Sequence, residues 1–396
     1  FDTIVVGAGI TGACAAWDAA ARGLRVLLLE RGDFGAGTSA HSLKILHGGI
    51  RYLQHLDVPR LRQSCRERRE FLRMAPHLTG TRPFVVPTYG YGIKGKAAFR
   101  AAFLLLGLLT PDRNKGIADP DSRIPGGTVI PRREVLRRFP GIDDAGLTGA
   151  AVFHDGVMLN PPRLVFEIVQ TAVEAGATAL NYVNVSSIEM DPGKRCVTGV
   201  VAEDTVTGET YSIRAKTVIN AAGPYAPWIP TTNTDRPLSL KLSRDLAIVV
   251  DRISDDPAAL AVQTKYRDPD AFLTRGNRHL FMVPWRNYTL IGVNSRVFDE
   301  PPDTLEVTDD EIQAFIDEVN EAHSGIKLSR QNVRAVNAGL LPFGDNEADA
   351  KDLSFGKRSL IRDHGVADGT RGLVTAVSVR WTMGRATAEA AVNAVE

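Results

Sequence analysis

The sequence predicts an α/β protein in which a Rossmann-type domain carries an inserted antiparallel-sheet domain. Three observations lead to this prediction. A glycine-rich turn joins a short apolar strand to an Ala-rich helix at the start of the chain, several strand-like segments follow one another between 237 and 300, and the 396 residues exceed what one simple core usually holds. We expect the Rossmann-type domain to comprise 1–75, 151–235 and 336–396, and the inserted substrate domain to comprise 76–150 and 236–335.

The first elements form a βαβ unit. Residues 1–6 are an apolar run that ends in glycine, 11–22 are Ala-rich with helical spacing, and 25–29 are a second buried strand. Strand, turn, helix and strand follow one another within about the 30 residues that such a unit takes. The order predicts a phosphate-binding turn between the first strand and the helix.

That turn reads Gly7-Ala8-Gly9-Ile10-Thr11-Gly12, and Glu30 stands at the tip of the second strand. Gly7 makes the tight turn, Gly9 lets the backbone approach a pyrophosphate, and Gly12 lets helix and strand pack closely. Glu30 can accept hydrogen bonds from ribose hydroxyls. The pattern predicts a dinucleotide site with NAD and FAD both open, and the alternative is a glycine turn without a cofactor.

The later elements follow from hydrophobic periodicity. Residues 80–150 are mixed and rich in Pro and Gly, so they receive no assignment apart from the helical pattern of 94–109. Helices are predicted at 56–75, 161–176, 309–322 and 382–395, and strands at 178–185, 197–202, 211–214, 217–220, 246–250, 279–284, 289–293 and 372–378.

Composition limits the classes of function. Apolar residues make up 44% and charged residues 23%, which is typical of a globular protein, and a net charge of +1 gives no bulk attraction for nucleic acid. Cys14, Cys65 and Cys196 form no CxxC pair and no metal-ligand spacing, so we predict no metal and a reducing, cytoplasmic setting. The longest apolar run, 101–109, is shorter than the roughly 20 residues of a membrane span.

Several segments in order resemble FAD-dependent glycerol-3-phosphate dehydrogenases, members of the D-amino-acid-oxidase-like superfamily. The clearest likeness is in the segment Gly37-Thr38-Ser39-Ala40-His41-Ser42-Leu43-Lys44-Ile45-Leu46-His47-Gly48-Gly49-Ile50-Arg51-Tyr52-Leu53. Others are Asp155-Gly156 with Asn160-Pro161-Pro162-Arg163-Leu164-Val165, Asn220-Ala221-Ala222-Gly223-Pro224-Tyr225, Met282-Val283-Pro284-Trp285, Ile361-Arg362-Asp363-His364, and Ser378-Val379-Arg380-Trp381-Thr382.

The resemblance implies FAD as the cofactor of the Rossmann-type domain. The loop 37–48 would wrap the flavin and pyrophosphate, and 380–382 would face the pyrimidine end of the flavin. The cofactor-binding residues predicted in this way are Gly7, Gly9, Gly12, Glu30, Arg31, Thr38, Ser39, Lys44, Leu46, His47, Gly48, Val185, Ala222, Gly223, Arg380, Trp381 and Thr382.

Oxidation of an alcohol also needs a group that takes the hydroxyl proton and groups that hold the substrate. We predict His47 as the base, with hydrogen bonding to the flavin as the alternative. Arg51 and Tyr52 would hold a phosphate or carboxylate, the alternative being a solvated helix start. Arg362 matches a substrate contact, the alternative being an ion pair with Asp363. His364 is predicted to be structural rather than a second proton acceptor.

Three positions depart from the family pattern, and all three would lie in the substrate pocket. Leu341 stands where the family has arginine, Arg380 where it has lysine, and Ala247 where it has histidine. Leu341 and Arg380 are therefore predicted to contact a substrate that differs from glycerol 3-phosphate. The family's C-terminal helical domain is not among these 396 residues.

We therefore predict an FAD-dependent dehydrogenase or oxidase that acts on a CH–OH group of a small polar metabolite. An amine or amino-acid oxidase and a non-catalytic flavin-binding paralogue are the alternatives. The electron acceptor is open between quinone, oxygen and a carrier, and so is the oligomeric state. The basic-then-apolar segment 94–109 would touch the inner face of a membrane or pack at a buried interface.

Overall fold

The computed structural model describes residues 1–55, 57–90, 95–191, 193–232, 238–267, 277–343 and 358–396. Among these residues, one sheet is mainly parallel and is called the parallel sheet. Its spatial order is β17 (Leu360–Asp363), β18 (Leu373–Val377), β11 (Thr217–Asn220), β1 (Thr3–Val6), β2 (Val26–Leu29) and β7 (Thr178–Leu180). The central strand β1 is buried throughout, as expected for a strand covered on both faces.

A larger sheet, called the mixed sheet, carries the substrate-side strands. Its order is β16 (Val333–Pro342), β12 (Leu242–Asp251), β15 (Tyr288–Phe298), β14 (Asn277–Trp285), β13 (Ala259–Arg267), β4 (Thr79–Tyr89), β6 (Leu147–Met158) and β3 (Ile45–Leu46), with β5 (Thr128–Pro131) paired to β6. A small antiparallel sheet contains β10 (Thr210–Arg214), β9 (Cys196–Asp204) and β8 (Val183–Asp191).

The helices pack around these sheets. Those of the described chain are α1 (Ile10–Ala21), α2 (Val58–Met74), α3 (Lys96–Leu109), α4 (Arg132–Arg138), α5 (Pro161–Glu174), α6 (Asp309–Ala322), α7 (His364–Ala367) and α8 (Gly384–Val395). Helix α1 packs in one core with α5 and α8. Alanines occupy most of its buried face, and their small side chains allow the neighbouring helices to approach closely.

The mixed sheet crosses the predicted domain boundaries. It takes β3 from 45–46, most of β6 from the segment after 151, and the end of β16 after 336. The longest part of this crossing is the ladder of β4 with β6, from Thr79↔Met158 to Tyr89↔Leu147. Strand β4 escaped prediction because it contains Pro83 and Pro87, which weaken a strand pattern. The division into two domains itself stays a prediction.

One predicted strand, 178–185, is two strands in two different sheets. Tyr182 lies between them with a φ of +58°, a left-handed conformation that ends a strand. The chain leaves the parallel sheet after β7 and starts the small sheet with β8. The turn at Tyr182 thus separates β7, which pairs with β2, from the hairpin of β8 and β9.

Candidate active site

Two glycines of the turn after β1 have no room for a side chain. Gly7 has a φ of +90°, and a Cβ there would lie 2.9 Å from the Ala222 Cα. A Cβ on Gly12 would lie 1.8 Å from the Gly7 carbonyl oxygen. Glu30 braces the turn, because its Oε2 accepts a hydrogen bond from the Ala8 N–H at 2.7 Å. Backbone therefore lines this turn, which is what a pyrophosphate requires.

Glu30 has a second backbone partner, since Oε1 accepts from the Gly32 N–H at 2.9 Å. Its predicted contact with a ribose stays a prediction. Gly9 caps α1 without a side-chain hydrogen bond, so the partial positive charge of the helix start faces the turn. Contact of this turn with the phosphates of a dinucleotide likewise stays a prediction.

The loop 37–48 is fastened to three parts of the fold. The Ser39 Oγ accepts from the Ile10 N–H at 3.0 Å, and the Ser39 carbonyl accepts from the indole N–H of Trp381 at 3.2 Å. The Thr38 hydroxyl donates to the Leu340 carbonyl at 3.2 Å. The loop therefore joins the start of α1, the start of the last helix and the mixed sheet.

Lys44 lies in this loop with a φ of +59°, and its side chain is buried. Its ammonium lies 4.7 Å from the Trp285 ring centroid and 3.4 Å from the Ala40 carbonyl. Burial, with the nearby charge of Arg286, lowers the pKa of Lys44 to about 8. The predicted flavin loop thus contains a buried ammonium whose pKa lies below the usual value of lysine.

His47 follows β3 and lies at the centre of the candidate site. Its backbone N–H donates to the Thr382 Oγ1 at 2.9 Å, while its side chain remains 47% exposed. The Nδ1 atom lies 3.9 Å from the Asp155 Oδ2. Desolvation lowers the pKa of His47, the Asp155 charge opposes this, and Arg380 and Arg68 add to the lowering. A neutral imidazole at pH 7 suits a general base.

Asp155 and Arg68 form the buried floor of the site, and the sequence predicted no role for either residue. The Asp155 Oδ1 accepts from the Gly48 N–H at 2.7 Å and from the Arg68 Nη1 at 2.5 Å. A Cβ on Gly48 would lie 2.0 Å from that Nη1, so the glycine admits the guanidinium. The signal in the sequence was the Asp155-Gly156 pair, which carried part of the family resemblance.

The alternating charges of helix 60–73 are typical of a solvated face. Arg62, Arg66 and Arg73 are exposed as this predicts, but two other charged residues of the helix are not. Glu67 is fully buried and Arg68 nearly so. Arg385 of α8 donates twice to the Glu67 carboxylate, each at 2.8 Å. Charged residues from other elements, Arg385 and Asp155, compensate these two buried charges. A charge count along the sequence cannot distinguish such buried pairs from a hydrated surface.

Tyr52 lies between two guanidinium groups. Its buried ring has the Arg380 Cζ at 4.8 Å and the Arg60 Cζ at 4.7 Å from the centroid. Arg60 is also paired with Asp57 at 3.2 Å. The structure thus brings Tyr52 and Arg380 together, and their contact with a substrate stays a prediction. The side chain of Arg51 lies outside the described part of the chain.

Arg362 belongs to a separate cluster. It donates to the Asp368 Oδ2 at 3.1 Å, so the alternative of an ion pair with Asp363 is wrong. The Asp363 carboxylate instead accepts from the Gly365 N–H and caps α7. His364 contacts the same Asp368 oxygen at 3.0 Å through Nδ1, and Thr375 through Nε2 at 3.0 Å. The predicted catalytic role of Arg362 stays a prediction.

The two altered positions of the mixed sheet lie on adjacent strands. Leu341 of β16 pairs with Ser243 of β12, and Ala247 lies further along β12. Ala247 is opposite Gly292, where a Cβ would lie 2.8 Å from the Ala247 Cβ. A residue larger than glycine at 292 would therefore meet a crowded contact with Ala247 at this point of the sheet.

The remaining predicted residues occupy varied places. Leu46 and Val185 are buried, and Val185 packs in the core beside β1 and β2. Arg31 stacks on Tyr225 at 3.7 Å and pairs with Asp303 at 3.1 Å. Ala222 and Gly223 follow β11, and Gly223 has a φ of +59°. The sequence also places Arg275, Arg278 and His279 near the strands of the second domain, where they would line the pocket. Arg275 and the side chain of Arg278 lie outside the described residues, and His279 is exposed.

Two features are absent from the described residues. No group of three or more His, Cys, Asp or Glu side chains with a geometry suited to a metal was found there. No helix in the described ranges has the length and apolar character needed to cross a bilayer. The three cysteines are all free thiols, and Cys65 donates to the Gly48 carbonyl at 3.0 Å.

Comparison with known proteins gives one consistent family. A family model described as FAD dependent oxidoreductase matches residues 2–394. The chain is 30% identical over its whole length to a glycerol-3-phosphate dehydrogenase of Synechocystis, covering 70% of that protein. It is 31% identical to the mitochondrial glycerol-3-phosphate dehydrogenase of Bos taurus and spans about half (52%) of its length.

The structural neighbours agree. The FAD complex of a glycerol-3-phosphate dehydrogenase from Bacillus halodurans matches with a TM-score of 0.71 and 25% identity, covering all of this chain and 64% of that one. Glycine oxidase from Geobacillus kaustophilus matches with a TM-score of 0.64 at 19% identity, covering all of this chain and 94% of that one, and so shares the fold.

Proposed function

This chain belongs to the family of FAD-dependent oxidoreductases, and we propose that it oxidises a CH–OH group of a small polar metabolite. The predictions of the family, of the α/β fold and of FAD as cofactor are confirmed. The observation that carries the proposed activity is a half-exposed His47 whose Nδ1 lies 3.9 Å from the buried Asp155 carboxylate. When bound, FAD supplies the acceptor for a hydride.

In this proposal the protein contributes binding, orientation and a proton acceptor. The glycine turn and the loop 37–48 hold the dinucleotide, because the turn admits only backbone and the loop is fastened on three sides. The imidazole of His47 takes the proton of the substrate hydroxyl. Arg380, held over the Tyr52 ring, binds an anionic or strongly polar group of the substrate.

The substrate is proposed to differ from glycerol 3-phosphate. Leu341 has no charge with which to bind a phosphate. An arginine at that position would donate hydrogen bonds to the phosphate, and each would contribute about 1.5–3 kcal/mol to binding. Arg380 stands where the family has lysine. Its guanidinium is planar, whereas a lysine ammonium is a compact charge, so it binds a carboxylate or phosphate in a different orientation. We therefore propose a hydroxylated metabolite that is less anionic or bulkier.

Anaerobic titration of the FAD-loaded protein tests this. Glycerol 3-phosphate, other polyol phosphates, hydroxy acids, amino acids and amines are added separately, and the flavin absorbance reports reduction. We expect bleaching by a hydroxylated compound and slow bleaching by glycerol 3-phosphate. The Leu341→Arg variant should bleach with glycerol 3-phosphate at least about tenfold faster. Fast bleaching of the unmodified protein by glycerol 3-phosphate contradicts the substrate proposal, and bleaching by amines alone contradicts the CH–OH assignment.

A peripheral membrane contact is the second proposal, and α3 carries it. Lys96, Arg100, Leu104 and Leu108 follow one another at four-residue spacing and so share one face of the helix. Leu104 is 73% and Leu108 78% exposed. A stripe that is basic at one end and apolar at the other fits an anionic lipid surface. A contact of this kind favours a quinone over oxygen or a carrier as electron acceptor. The protein would then be cytoplasmic and bound to the surface of the membrane.

Sedimentation with vesicles of phosphatidylcholine and phosphatidylglycerol tests the membrane proposal. The protein should pellet with vesicles that contain the anionic lipid, and Leu104→Ser/Leu108→Ser should abolish this. A matched control is Val206→Ser, which removes an equally exposed apolar side chain (78%) from the hairpin of the small sheet. Equal binding by the α3 variant and the unmodified protein contradicts the proposal.

A further inference from the structure

The Asp155 carboxylate faces His47 because of strand register. Leu46 of β3 pairs with Gly156 of β6 in an antiparallel ladder, so the next residue of β3's segment, His47, lies opposite the preceding residue of β6, Asp155. The Nδ1–Oδ2 separation of 3.9 Å is the result. The proximity is therefore built into the sheet and does not depend on a chance rotamer of a surface loop.

Asp155 is also fixed at its other oxygen. Oδ1 accepts from the Gly48 N–H and from Arg68, and the side chain is only 5% exposed. With Oδ1 occupied, Oδ2 is the oxygen that faces the imidazole. The backbone of His47 is held independently by Thr382. Both ends of the His47–Asp155 contact are thus anchored, while the outer part of the imidazole remains accessible.

We propose that Asp155 is a positioning residue that keeps the His47 proton on Nδ1 and leaves the Nε2 lone pair free to accept the substrate's hydroxyl proton. This inference rests on the proposed function, in which His47 is the base. A separation of 3.9 Å exceeds a hydrogen bond, and such contacts tighten when substrate closes the site. A carboxylate in this place also stabilises the imidazolium that forms when the proton is taken.

Three charged groups face His47 from three elements. Asp155 lies on β6, Arg68 on α2, and Arg380 directly before the 3₁₀ turn Trp381–Met383 that leads into α8. The Arg68 charge is paired with Asp155, and Arg380 is held over Tyr52. Both arginines disfavour the imidazolium, whereas Asp155 favours it, so loss of the Asp155 charge should weaken the base rather than strengthen it.

Asp155→Asn tests the proposal in the FAD-loaded protein labelled with ¹⁵N in its histidine rings. The imidazole nitrogen shifts give the tautomer and pKa of His47 without any substrate, and His47→Gln identifies its signals. Asp368→Asn is the matched control, because Asp368 contacts His364 in a comparable Asp–His–Arg cluster. The double variant Asp155→Asn/Arg68→Gln leaves no unpaired buried charge and serves if the single variant does not fold.

We expect the His47 proton on Nδ1 in the unmodified protein. Asp155→Asn and the double variant should shift it towards Nε2 and lower the pKa of His47, whereas Asp368→Asn should change His364 alone. With a reducing substrate, Asp155→Asn should slow flavin bleaching at least about tenfold, with KM changed less than about twofold. The acid limb of the rate profile should also move to lower pH.

An unchanged tautomer and pKa of His47 in both Asp155 variants would overturn the proposal and leave Asp155 as the counter-ion of Arg68. If His47 responds but no alcohol bleaches the flavin, the proposed function fails while the positioning of His47 by Asp155 stands. The two failures are therefore separable, because the spectroscopic readout needs no turnover.

Discussion

Two clusters of the molecule contain the same three residue types in different states. His47, Asp155 and Arg68 form the first, and His364, Asp368 and Arg362 form the second. In the second cluster both ring nitrogens of His364 have partners at 3.0 Å. In the first, the imidazole is half exposed and its carboxylate lies 3.9 Å away.

The difference shows what separates a reactive histidine from a structural one. Both ring nitrogens of His364 form hydrogen bonds with the protein, so neither can accept a proton from a substrate. In the first cluster the arginine is buried and the histidine accessible, whereas in the second the histidine is buried and the arginine 30% exposed. Residue type alone therefore does not assign a role, and accessibility of the imidazole does.

The largest expected effect is on the rate. His47→Gln should slow flavin reduction by a reducing substrate about 10²–10⁴-fold, the usual contribution of a general base. His364→Gln should change the rate little and lower the melting temperature instead, since it breaks two hydrogen bonds within the protein. Stopped-flow absorbance and thermal unfolding measure the two. Similar rate losses in both variants would break the comparison.

The next effect concerns the arginines. Arg68→Gln leaves the buried Asp155 charge unpaired, so the free energy of unfolding should fall by about 3–5 kcal/mol. Arg362→Gln removes a partner whose side chain is partly hydrated, and the loss should be about 1 kcal/mol or less. Urea unfolding of the two variants gives the numbers. A larger loss at Arg362 would show that its cluster is the more tightly coupled one.

The smallest effect is a pH dependence. Burial lowers the pKa of His364 below 6.5, an effect that the Asp368 hydrogen bond opposes. The unfolded chain therefore binds the proton more readily, and stability present above pH 6.5 is lost as the pH falls through that value. His364→Gln should flatten the decline of unfolding free energy between pH 7.5 and 5.5. Urea midpoints at several pH values measure it, and an unchanged slope would contradict the assignment.

Much of this architecture could be predicted from sequence, because it depends on local sterics. The turn at Gly7 and Gly12 has no space for a Cβ, so the motif itself specifies the backbone. The helix 309–322 begins at a Thr308–Glu311 capping box and was predicted with the observed bounds. In both cases neighbouring residues determine the structure.

Other features depend on partners far along the chain. The burial of Glu67 is explained by Arg385, 318 residues away, and the pairing of Arg362 with Asp368 rather than Asp363 depends on the turn into α7. Asp155 shows no sign of its role until β6 is aligned with β3. Such contacts leave no period or spacing in a single sequence, so they appear only in three dimensions.

The hydrogen bond from the His47 N–H to Thr382 joins residues 335 positions apart. A contact of that sequence separation closes a very long loop, and loop-closure entropy makes such contacts slow to form. On the ribosome, the segment around His47 is synthesised long before its partner. The candidate base consequently acquires its final backbone support only once nearly the whole stretch to residue 382 has been made, which makes the site a late product of folding.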